Sequence, residues 1–536
     1  MSVAQILSRA QLGLDAPLVQ IEAHLGSGLP GFCIVGLPAP VVRESRQRVR
    51  SAILNAGFEF PPGRITVNLA PVELAKEGGR YDLPVALALL VASGQLRMRS
   101  DLQPECYGEL GLGGELRAVH GLLLAAAHAA RAGHDLIVPG ADLGEVRLAR
   151  HRRAFGFPGL KSACAFLSGA AQQAEDSLGQ EPNLFLNSEQ YPSLDDVKGQ
   201  WRAKRALAIA AAGGHSLLMV GPPGSGKSML AMRLPGLLPP LTEAEAMEVA
   251  GIASISAQGF DPARWGQRPF RAPHHAASAN AIVGGGSRLR AGEISLAHRG
   301  VLFMDELPEF DRRVLEALRE PLESGAIHLA RAAGRLDLPA EFQLVAAMNP
   351  CPCGYLGDES RLCRCGPRRV QRYRDRLSGP LLDRLDLQIE VPRVELPALQ
   401  AGTAAGGPSL DCEGSGAALA TAVHAARARQ LARQNCCNAR LDHAGIEAHC
   451  RAHAAALRLL ERVATRFALS ARAYHRLLKV ARSIADLQGA DLITPGHVGE
   501  AASLRLAAAL DISPGGNPSA TVPGSAGLAY WPLDTR

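Results

Sequence analysis

The segment Gly221–Ser228 has the composition and spacing of a loop that binds phosphate. It reads Gly-Pro-Pro-Gly-Ser-Gly-Lys-Ser, follows the apolar run 216–220 and precedes an apolar helical pattern. Its glycines let backbone N–H groups turn toward a phosphate, Lys227 can reach the β- and γ-phosphates, and the Ser228 hydroxyl can hold Mg²⁺. A plain glycine turn is the alternative, but the flanking strand and helix favour a nucleotide site made of Gly221, Pro222, Pro223, Gly224, Ser225, Gly226, Lys227, Ser228 and Met229.

Two carboxylates, Asp305 and Glu306, follow a second apolar run, Gly300-Val-Leu-Phe-Met. Such a run is typical of a buried parallel strand, and ligand sites in open α/β sheets lie at the carboxyl ends of these strands. Asp305 is suited to hold Mg²⁺ through water, and Glu306 is suited to orient and deprotonate the attacking water. Solvated acids at a strand end are the alternative, which the upstream phosphate loop disfavours.

The elements that position these groups belong to an α/β chain with more than one domain. Its 536 residues are too many for a single core. Apolar patterns in the first 170 residues predict strands at Phe32–Val35 and Ile65–Leu69 and helices at Val42–Ala56 and Pro84–Ala92. Residues 171–190 are polar and predict a linker.

The composition favours a folded protein of the cytoplasm. Hydrophobic residues make up 47% of the chain and charged residues 20%. We find no secretory signal pattern and no apolar run close to the length of a membrane span, so we expect no membrane partner. The eleven cysteines are then expected to be thiols or metal ligands. A net charge of +6 permits an anionic partner without showing one.

Four cysteines within fifteen residues form a candidate zinc site. Cys351 and Cys353 are one CxC pair, and Cys363 and Cys365 are a second pair nine residues later. Four thiolates can hold one tetrahedral Zn²⁺. Reduced thiols without metal are the alternative, although such a cluster in a cytosolic chain favours metal.

Two stretches resemble segments of AAA+ ATPases. Leu194–Gln200 is similar to the segment that lies against the nucleotide base, and Phe342–Asn349 is similar to the strand that ends in the first sensor. The resemblance implies that Asn349 contacts the γ-phosphate or the attacking water.

Two arginines resemble AAA+ residues that complete the site. Arg384 lies in a stretch like the one that carries the arginine finger, which a neighbouring subunit supplies to the transferring phosphoryl group. An ion pair with Asp383 or Asp386 is the alternative. Arg472 resembles the second sensor, with Arg476 as a competitor for that role.

The first 170 residues resemble the proteolytic domain of Lon-type proteases. The similarity lies in Ala75–Asp82 and in Gly108–Pro139. That family uses a Ser–Lys dyad, but the serine position falls on Arg80 and the lysine position on Leu123. Neither side chain can do the chemistry, so we expect a scaffold without peptidase activity, and we expect Lys76 to be a surface charge.

An insertion between the two nucleotide motifs resembles that of the magnesium-chelatase branch of AAA+ proteins. It comprises Arg268–His275, Ile282–Gly286 and Arg290–His298. In rings of this class such insertions face the central pore, which makes Arg288 and Arg290 candidate DNA contacts.

A second candidate DNA contact is a hairpin predicted within Gly325–Pro339, with Arg331 and Arg335 near its tip. In related helicase rings a hairpin at this place grips DNA. A solvated hairpin tip is an equal alternative.

Together these features resemble the ComM/YifB family of magnesium-chelatase-like AAA+ proteins over nearly the whole chain. The resemblance implies a hexameric ATPase stabilised by ATP and DNA, and a DNA helicase that acts on single-stranded or branched DNA to promote branch migration during natural transformation. A protein-remodelling or metal-insertion ATPase is the alternative. The expected order is a Lon-like α/β domain (1–170), a linker (171–190), an AAA+ α/β core (191–395), a flexible insertion (396–417), a helical lid (418–512) and a disordered tail (513–536).

Overall fold

The computed structural model describes residues 2–36, 40–74, 76, 78–151, 153–170, 175–176, 191–256, 259–285, 290–331, 334–358, 361–394 and 415–506. Arg288, most of the predicted linker 171–190, most of the predicted insertion 396–417 and the predicted tail 513–536 lie outside these residues. Arg290, Arg331 and Arg335 are described by their backbone alone.

The chain divides into two units that interleave along the sequence. The first unit comprises Met1–Tyr191, Pro240–Met304 and Glu309–Gln343, and the second comprises Pro192–Pro239, Asp305–Pro308 and Leu344–Arg536. Among the described residues, none of the helices has the length and the apolar character needed to cross a bilayer.

The first unit begins with an eight-stranded mixed sheet in the order β10-β9-β8-β5-β1-β2-β4-β3. The strands are β1 (Ser2–Arg9), β2 (Leu18–Gly26), β3 (Gly31–Val35), β4 (Arg64–Ala70), β5 (Pro104–Cys106), β8 (Asp135–Pro139), β9 (Ala154–Phe157) and β10 (Glu175–Asp176), with β6 (Glu109–Leu110) and β7 (Leu116–Arg117) as a separate pair. The helices are α1 (Pro40–Asn55), α2 (Asp82–Ala92), α3 (Leu122–Ala132), α4 (Leu143–Leu148) and α5 (Leu160–Leu167).

Burial explains why these segments fold as they do. Alternate residues of β4 are buried, as expected for a strand with one face on a core. Helix α2 is apolar on all sides, and ten of its eleven residues are buried. The two strands and two helices predicted for this stretch are confirmed, with ends shifted by one or two residues.

The second unit begins with α6 (Trp201–Gly213), β11 (Leu217–Val220), α7 (Lys227–Ala231) and α8 (Leu234–Leu237). The chain then returns to the first unit through α9 (Glu243–Ser254), β12 (Phe270–Arg271), α10 (Ala279–Val283), β13 (Gly284–Gly285), β14 (Arg290–Ala291), α11 (Glu293–Leu296), β15 (Val301–Met304), α12 (Arg312–Ala317), α13 (Pro321–Ser324), β16 (Ala326–Arg331) and β17 (Gly334–Pro339). Strands β16 and β17 pair antiparallel with Arg331 opposite Gly334, which confirms the predicted hairpin.

The last stretch of the second unit supplies two strands and seven helices among its described residues. They are β18 (Gln343–Met348), α14 (Pro367–Arg374), α15 (Gly379–Asp383), β19 (Leu387–Glu390), α16 (Gly416–Gln434), α17 (His443–His449), α18 (Ala454–Arg466), α19 (Ala471–Leu487) and α20 (Pro495–Leu506). Strand β11 lies between β18 and β19 and is parallel to both. The carboxyl ends of the three strands therefore meet at one edge.

The C-terminal helices are attached to this sheet through Asp386, just before β19. Its carboxylate accepts hydrogen bonds from the backbone N–H of Ser216 (3.1 Å) and pairs with Arg476 on α19 (2.5 Å). Arg505 on α20 donates to the carbonyl oxygen of Asp386 (3.1 Å). Burial alone would raise the pKa of Asp386, but hydrogen bonding to His215 and the charge of Arg476 hold that pKa well below its ordinary value.

Candidate functional site

The predicted phosphate loop joins the end of β11 to the start of α7. Gly224 and Gly226 have φ angles of 78° and 90°, in the left-handed region that favours glycine. A Cβ atom at Gly221 would lie 2.1 Å from the carbonyl oxygen of Val391, so only glycine fits there. The loop therefore needs its glycines for conformation at two positions and for close approach at a third.

Lys227 is buried inside this loop. Its Nζ donates to the carbonyl oxygens of Gly221 (2.8 Å) and Pro222 (2.9 Å). Burial lowers the pKa of Lys227, and the negative charges of Asp305 and Glu306 oppose that shift. The ammonium group is thus held by neutral carbonyl oxygens, which a phosphate can replace as a stronger, charged partner.

Ser228, Asp305 and Glu306 come together beside the loop. The Ser228 Oγ donates to Asp305 Oδ2 (2.7 Å), and the Glu306 N–H donates to Asp305 Oδ1 (2.9 Å). Glu306 is exposed and has a φ of 53°, which is rare for a non-glycine residue and often marks a functional site. A hydroxyl beside a carboxylate is a hard oxygen donor set, so these residues fit Mg²⁺.

A cavity of about 350 Å³ lies in front of these groups. It is lined by Pro223, Gly224, Ser225, Gly226, Lys227, Ser228, Met229, Asp305, Glu306, Met348 and Asn349. Asn349 follows β18, and its Oδ1 lies 3.4 Å from the Lys227 Nζ. The structure thus collects both predicted motifs and the predicted first sensor around one cavity.

Three contacts to the loop come from residues whose role the motifs did not predict. Gln200 Nε2 donates to the carbonyl oxygen of Ser225 (3.3 Å), and Arg393 Nη2 donates to that of Pro223 (3.4 Å). Gly354 has a φ of 84°, and a Cβ atom there would lie 2.5 Å from Pro223 Cδ. Two features of the sequence could have indicated these contacts: Gly354 directly follows Cys-Pro-Cys, and Arg393 lies just past the end of a strand.

The two arginines assigned to the completed site do not line this cavity. Arg384 is buried, and its Nη1 donates to the carbonyl oxygen of Pro380 (2.8 Å). Arg472 is exposed near the start of α19. Arg476, the other candidate for the second sensor, forms an ion pair with Asp386. Of the two arginines, Arg472 is the more exposed.

The four predicted zinc ligands form one cluster. Their Sγ atoms all lie within 4.8 Å of one another. The Sγ atoms of Cys351 and Cys353 are 3.4 Å apart, and each lies 3.6 Å from that of Cys363. A disulfide needs about 2.05 Å, whereas four thiolates about 2.3 Å from one Zn²⁺ stand roughly 3.8 Å apart. The observed distances are too long for disulfides and short enough for the four Sγ atoms to reach one metal ion.

At the position of the Lon-type dyad, the two residues make contacts within the protein. Arg80 Nη2 donates to the carbonyl oxygen of His120 (2.5 Å) and to Gln11 Oε1 (3.2 Å), and Leu123 is fully buried. The expectation that Lys76 is a surface charge is wrong, because the residue is fully buried and its Nζ donates to the carbonyl oxygen of Pro71. Burial lowers its pKa.

Comparisons with known proteins identify the family of this chain. Three magnesium chelatase profiles match: subunit ChlI (residues 193–399), a second ChlI profile (21–142) and the ChlI C-terminal region (413–505). The chain is 49% identical over 506 residues to the uncharacterized protein YifB of Salmonella typhimurium, covering 94% of this chain and 97% of the relative. It is 46% identical over 507 residues to the competence protein ComM of Haemophilus influenzae, covering 94% and 98%. The chain therefore belongs to the magnesium-chelatase-like AAA+ family that includes YifB and ComM.

Proposed function

We propose that this protein is an ATP-hydrolysing ring motor that moves DNA, and that it acts in the cytoplasm as a helicase promoting branch migration during recombination of transforming DNA. The observation that carries the proposal is the assembled cavity, which Lys227, Ser228 and Asp305 line together and in which Ser228 Oγ donates to Asp305 Oδ2. The near full-length similarity to a competence protein supports DNA as the partner.

In this proposal each residue at the cavity has one role. Lys227 exchanges its carbonyl partners for the β- and γ-phosphates, and Ser228 and Asp305 hold Mg²⁺, which neutralises phosphate charge. Glu306 orients the attacking water and accepts its proton, and Asn349 positions the water or the γ-phosphate. These five residues account for nucleotide binding and for bond cleavage.

The site is completed by a neighbouring subunit of a homo-hexamer. Arg384 supplies the arginine finger, which requires its guanidinium to leave the Pro380 carbonyl on assembly, and Arg472 adds a second cation. Arg290, Arg331, Arg335 and Arg288 are the proposed pore contacts to DNA. Hydrolysis then depends on assembly, because no subunit holds all the cations.

The proposal includes one Zn²⁺ held by Cys351, Cys353, Cys363 and Cys365. The Sγ spacing supports it, and its role is structural because four thiolates leave no open position. Elemental analysis of protein purified without chelators should give about one zinc per chain, and a Cys353→Ser variant should contain far less. Zinc near zero in the folded wild-type protein contradicts this part of the proposal.

The function is tested by measuring ATP hydrolysis without DNA, with single-stranded DNA and with forked DNA. We expect DNA to raise the rate severalfold and light scattering to show hexamers with ATP and DNA. Lys227→Ala should abolish hydrolysis and fork migration, whereas Lys161→Ala, which removes an exposed lysine, should not. A rate that DNA leaves unchanged but a protein substrate raises favours the remodelling or chelatase-type alternative instead.

A further inference from the structure

A surface of exposed arginines follows directly from the cysteine cluster. It comprises Arg361, Arg364, Arg368, Arg369 and Arg372, all of them exposed, and we call it the arginine surface. The last three lie on α14, whose Val370 and Tyr373 are buried and anchor the other side of the helix. The arginines therefore stand on a side of the helix that faces away from the protein.

The positive charge of this surface is not balanced by nearby acids. Among the described residues, Arg364, Arg368, Arg369 and Arg372 take part in no ion pair. The carboxylate of Asp358 pairs with Arg393 (3.2 Å), and that of Asp375 accepts a hydrogen bond from Gln371 (2.7 Å). Like charges held together destabilise a free protein, so this arrangement is complementary to a polyanion.

The chemistry of the surface fits a phosphate backbone better than a membrane or base edges. Guanidinium groups bind phosphate through paired N–H donors. A membrane-binding helix needs an exposed apolar face, but α14 buries its apolar residues in the protein. Helix α14 offers no exposed ring for base stacking, since its Tyr373 is buried, and the nearby ring of Tyr355 already stacks with Arg361 and Arg393. Contacts to phosphates without base reading are what remains.

The arginine surface is also joined to the nucleotide site by a short segment. Cys351, the buried ligand of the cluster, lies two residues after Asn349. Gly354, between the two CxC pairs, presses against Pro223 of the phosphate loop. The segment that follows Asn349 and carries the first arginines therefore also contacts the phosphate loop.

We propose that the arginine surface binds the phosphate backbone of DNA and passes that binding to the phosphate loop, which raises the rate of ATP hydrolysis. This inference rests on the proposed function, because it takes DNA as the partner. It assigns that partner to residues outside the insertion and the hairpin.

The test compares wild-type protein with a variant carrying Arg364→Gln, Arg368→Gln, Arg369→Gln and Arg372→Gln. DNA binding is measured by fluorescence anisotropy with labelled single-stranded and forked DNA at several salt concentrations. We expect at least ~10-fold weaker binding, and a plot of log affinity against log salt whose slope is smaller by about 3–4, since each lost phosphate contact removes nearly one unit. Hydrolysis without DNA should be unchanged and its stimulation by DNA lost.

Two further variants test whether weaker DNA binding comes from the arginine surface itself, from lower total charge or from damage to the fold. Changing Arg451, Arg458, Arg462 and Arg466 to Gln removes the same charge from exposed residues of the C-terminal helices and should leave binding within about threefold of wild type. Lysine at the four test positions keeps the charge and should bind DNA more tightly than the glutamine variant, but less tightly than wild type because the paired guanidinium contacts are lost.

Each other outcome overturns a defined claim. If the glutamine variant binds DNA with the wild-type affinity and salt slope, or if the control variant loses as much affinity, the arginine surface is not the binding site. If the lysine variant fails as badly as the glutamine variant, the arginines act structurally and the inference is also wrong. Wild-type protein that binds neither DNA overturns the proposed function itself.

Discussion

The sequence resembles a catalytic site at two places, and within the described part of the chain these places differ in what surrounds their polar groups. At the phosphate loop, Lys227 is held by weak neutral partners, Glu306 stands exposed in a strained conformation, and a cavity of about 350 Å³ lies in front of them. At the Lon-type position, Arg80 is satisfied by a backbone carbonyl and Leu123 is fully buried. At the phosphate loop the polar groups line an open cavity, whereas at the Lon-type position Arg80 already has partners within the protein.

The comparison is tested most strongly by Glu306→Gln. The amide keeps the shape but cannot accept a proton from water, so the rate of ATP hydrolysis should fall by about 10²–10⁴-fold while ATP binding persists. Steady-state kinetics and nucleotide titration measure the two effects. Glu309→Gln makes the same change three residues later and should have little effect; a Glu306 variant that hydrolyses ATP normally would show that another group is the base.

Gly354→Ala should weaken nucleotide binding by about tenfold. The added Cβ atom would lie 2.5 Å from Pro223 Cδ and would displace the phosphate loop. Gly357→Ala is the matched control, because Gly357 also has a positive φ (79°) but no atom lies within 4 Å of its added Cβ. Titration with a fluorescent ATP analogue measures both. If both variants lose the same nucleotide affinity, the cause is backbone strain and not the contact with the phosphate loop.

Arg80→Ala should destabilise the first unit without changing ATP hydrolysis. The variant removes the charged donor, itself buried, from which the His120 carbonyl oxygen accepts a hydrogen bond, at a cost of about 1–3 kcal/mol. Thermal unfolding should start a few degrees lower, whereas Arg117→Ala, at a side chain that is 59% exposed, should have little effect. A rate of ATP hydrolysis that falls with Arg80→Ala would show that the first unit contributes to hydrolysis and would contradict this prediction.

The smallest expected effect concerns Glu145, a half-buried acid beside the Lon-type position. Burial raises its pKa to about 7, although a hydrogen bond from the Leu123 N–H opposes the shift. The folded protein therefore keeps a proton that the unfolded chain loses above pH 4.5, and stability falls as the pH rises from about 4.5 to about 7. Glu145→Gln should therefore raise the free energy of unfolding by about 1–2 kcal/mol above about pH 7.

The measurement is the midpoint of thermal unfolding at pH 5 and pH 8. Glu145→Gln should raise the midpoint at pH 8 and leave it nearly unchanged at pH 5. The exposed residue Glu44 provides a control, since Glu44→Gln should shift neither midpoint. Stabilisation of the Glu145 variant at pH 5 alone would contradict the expected sign.

The sequence predicted those parts of the fold and the site that local spacing determines. The glycine spacing of 221–226 and the alternation around Gly334 are read directly from neighbouring residues, and the loop and the hairpin formed as expected. The contact of Arg393 with Pro223 joins residues 170 positions apart, and no local pattern encodes it. The burial of Lys76 was missed for a related reason, because a lysine in a polar segment gives no sign of the carbonyl that receives it.

The contacts of Asp386 have a consequence for how a displacement at the nucleotide site would reach the C-terminal helices. The Asp386 carboxylate connects the start of β11, the strand that ends in the phosphate loop, to helix α19. The backbone carbonyl oxygen of the same residue adds a contact to α20. Hydrogen bonding to His215 and the charge of Arg476 hold the pKa of this carboxylate well below its ordinary value, so its ion pair with Arg476 persists at neutral pH. A displacement of β11 would therefore reach the C-terminal helices through a charged contact and not through apolar packing alone.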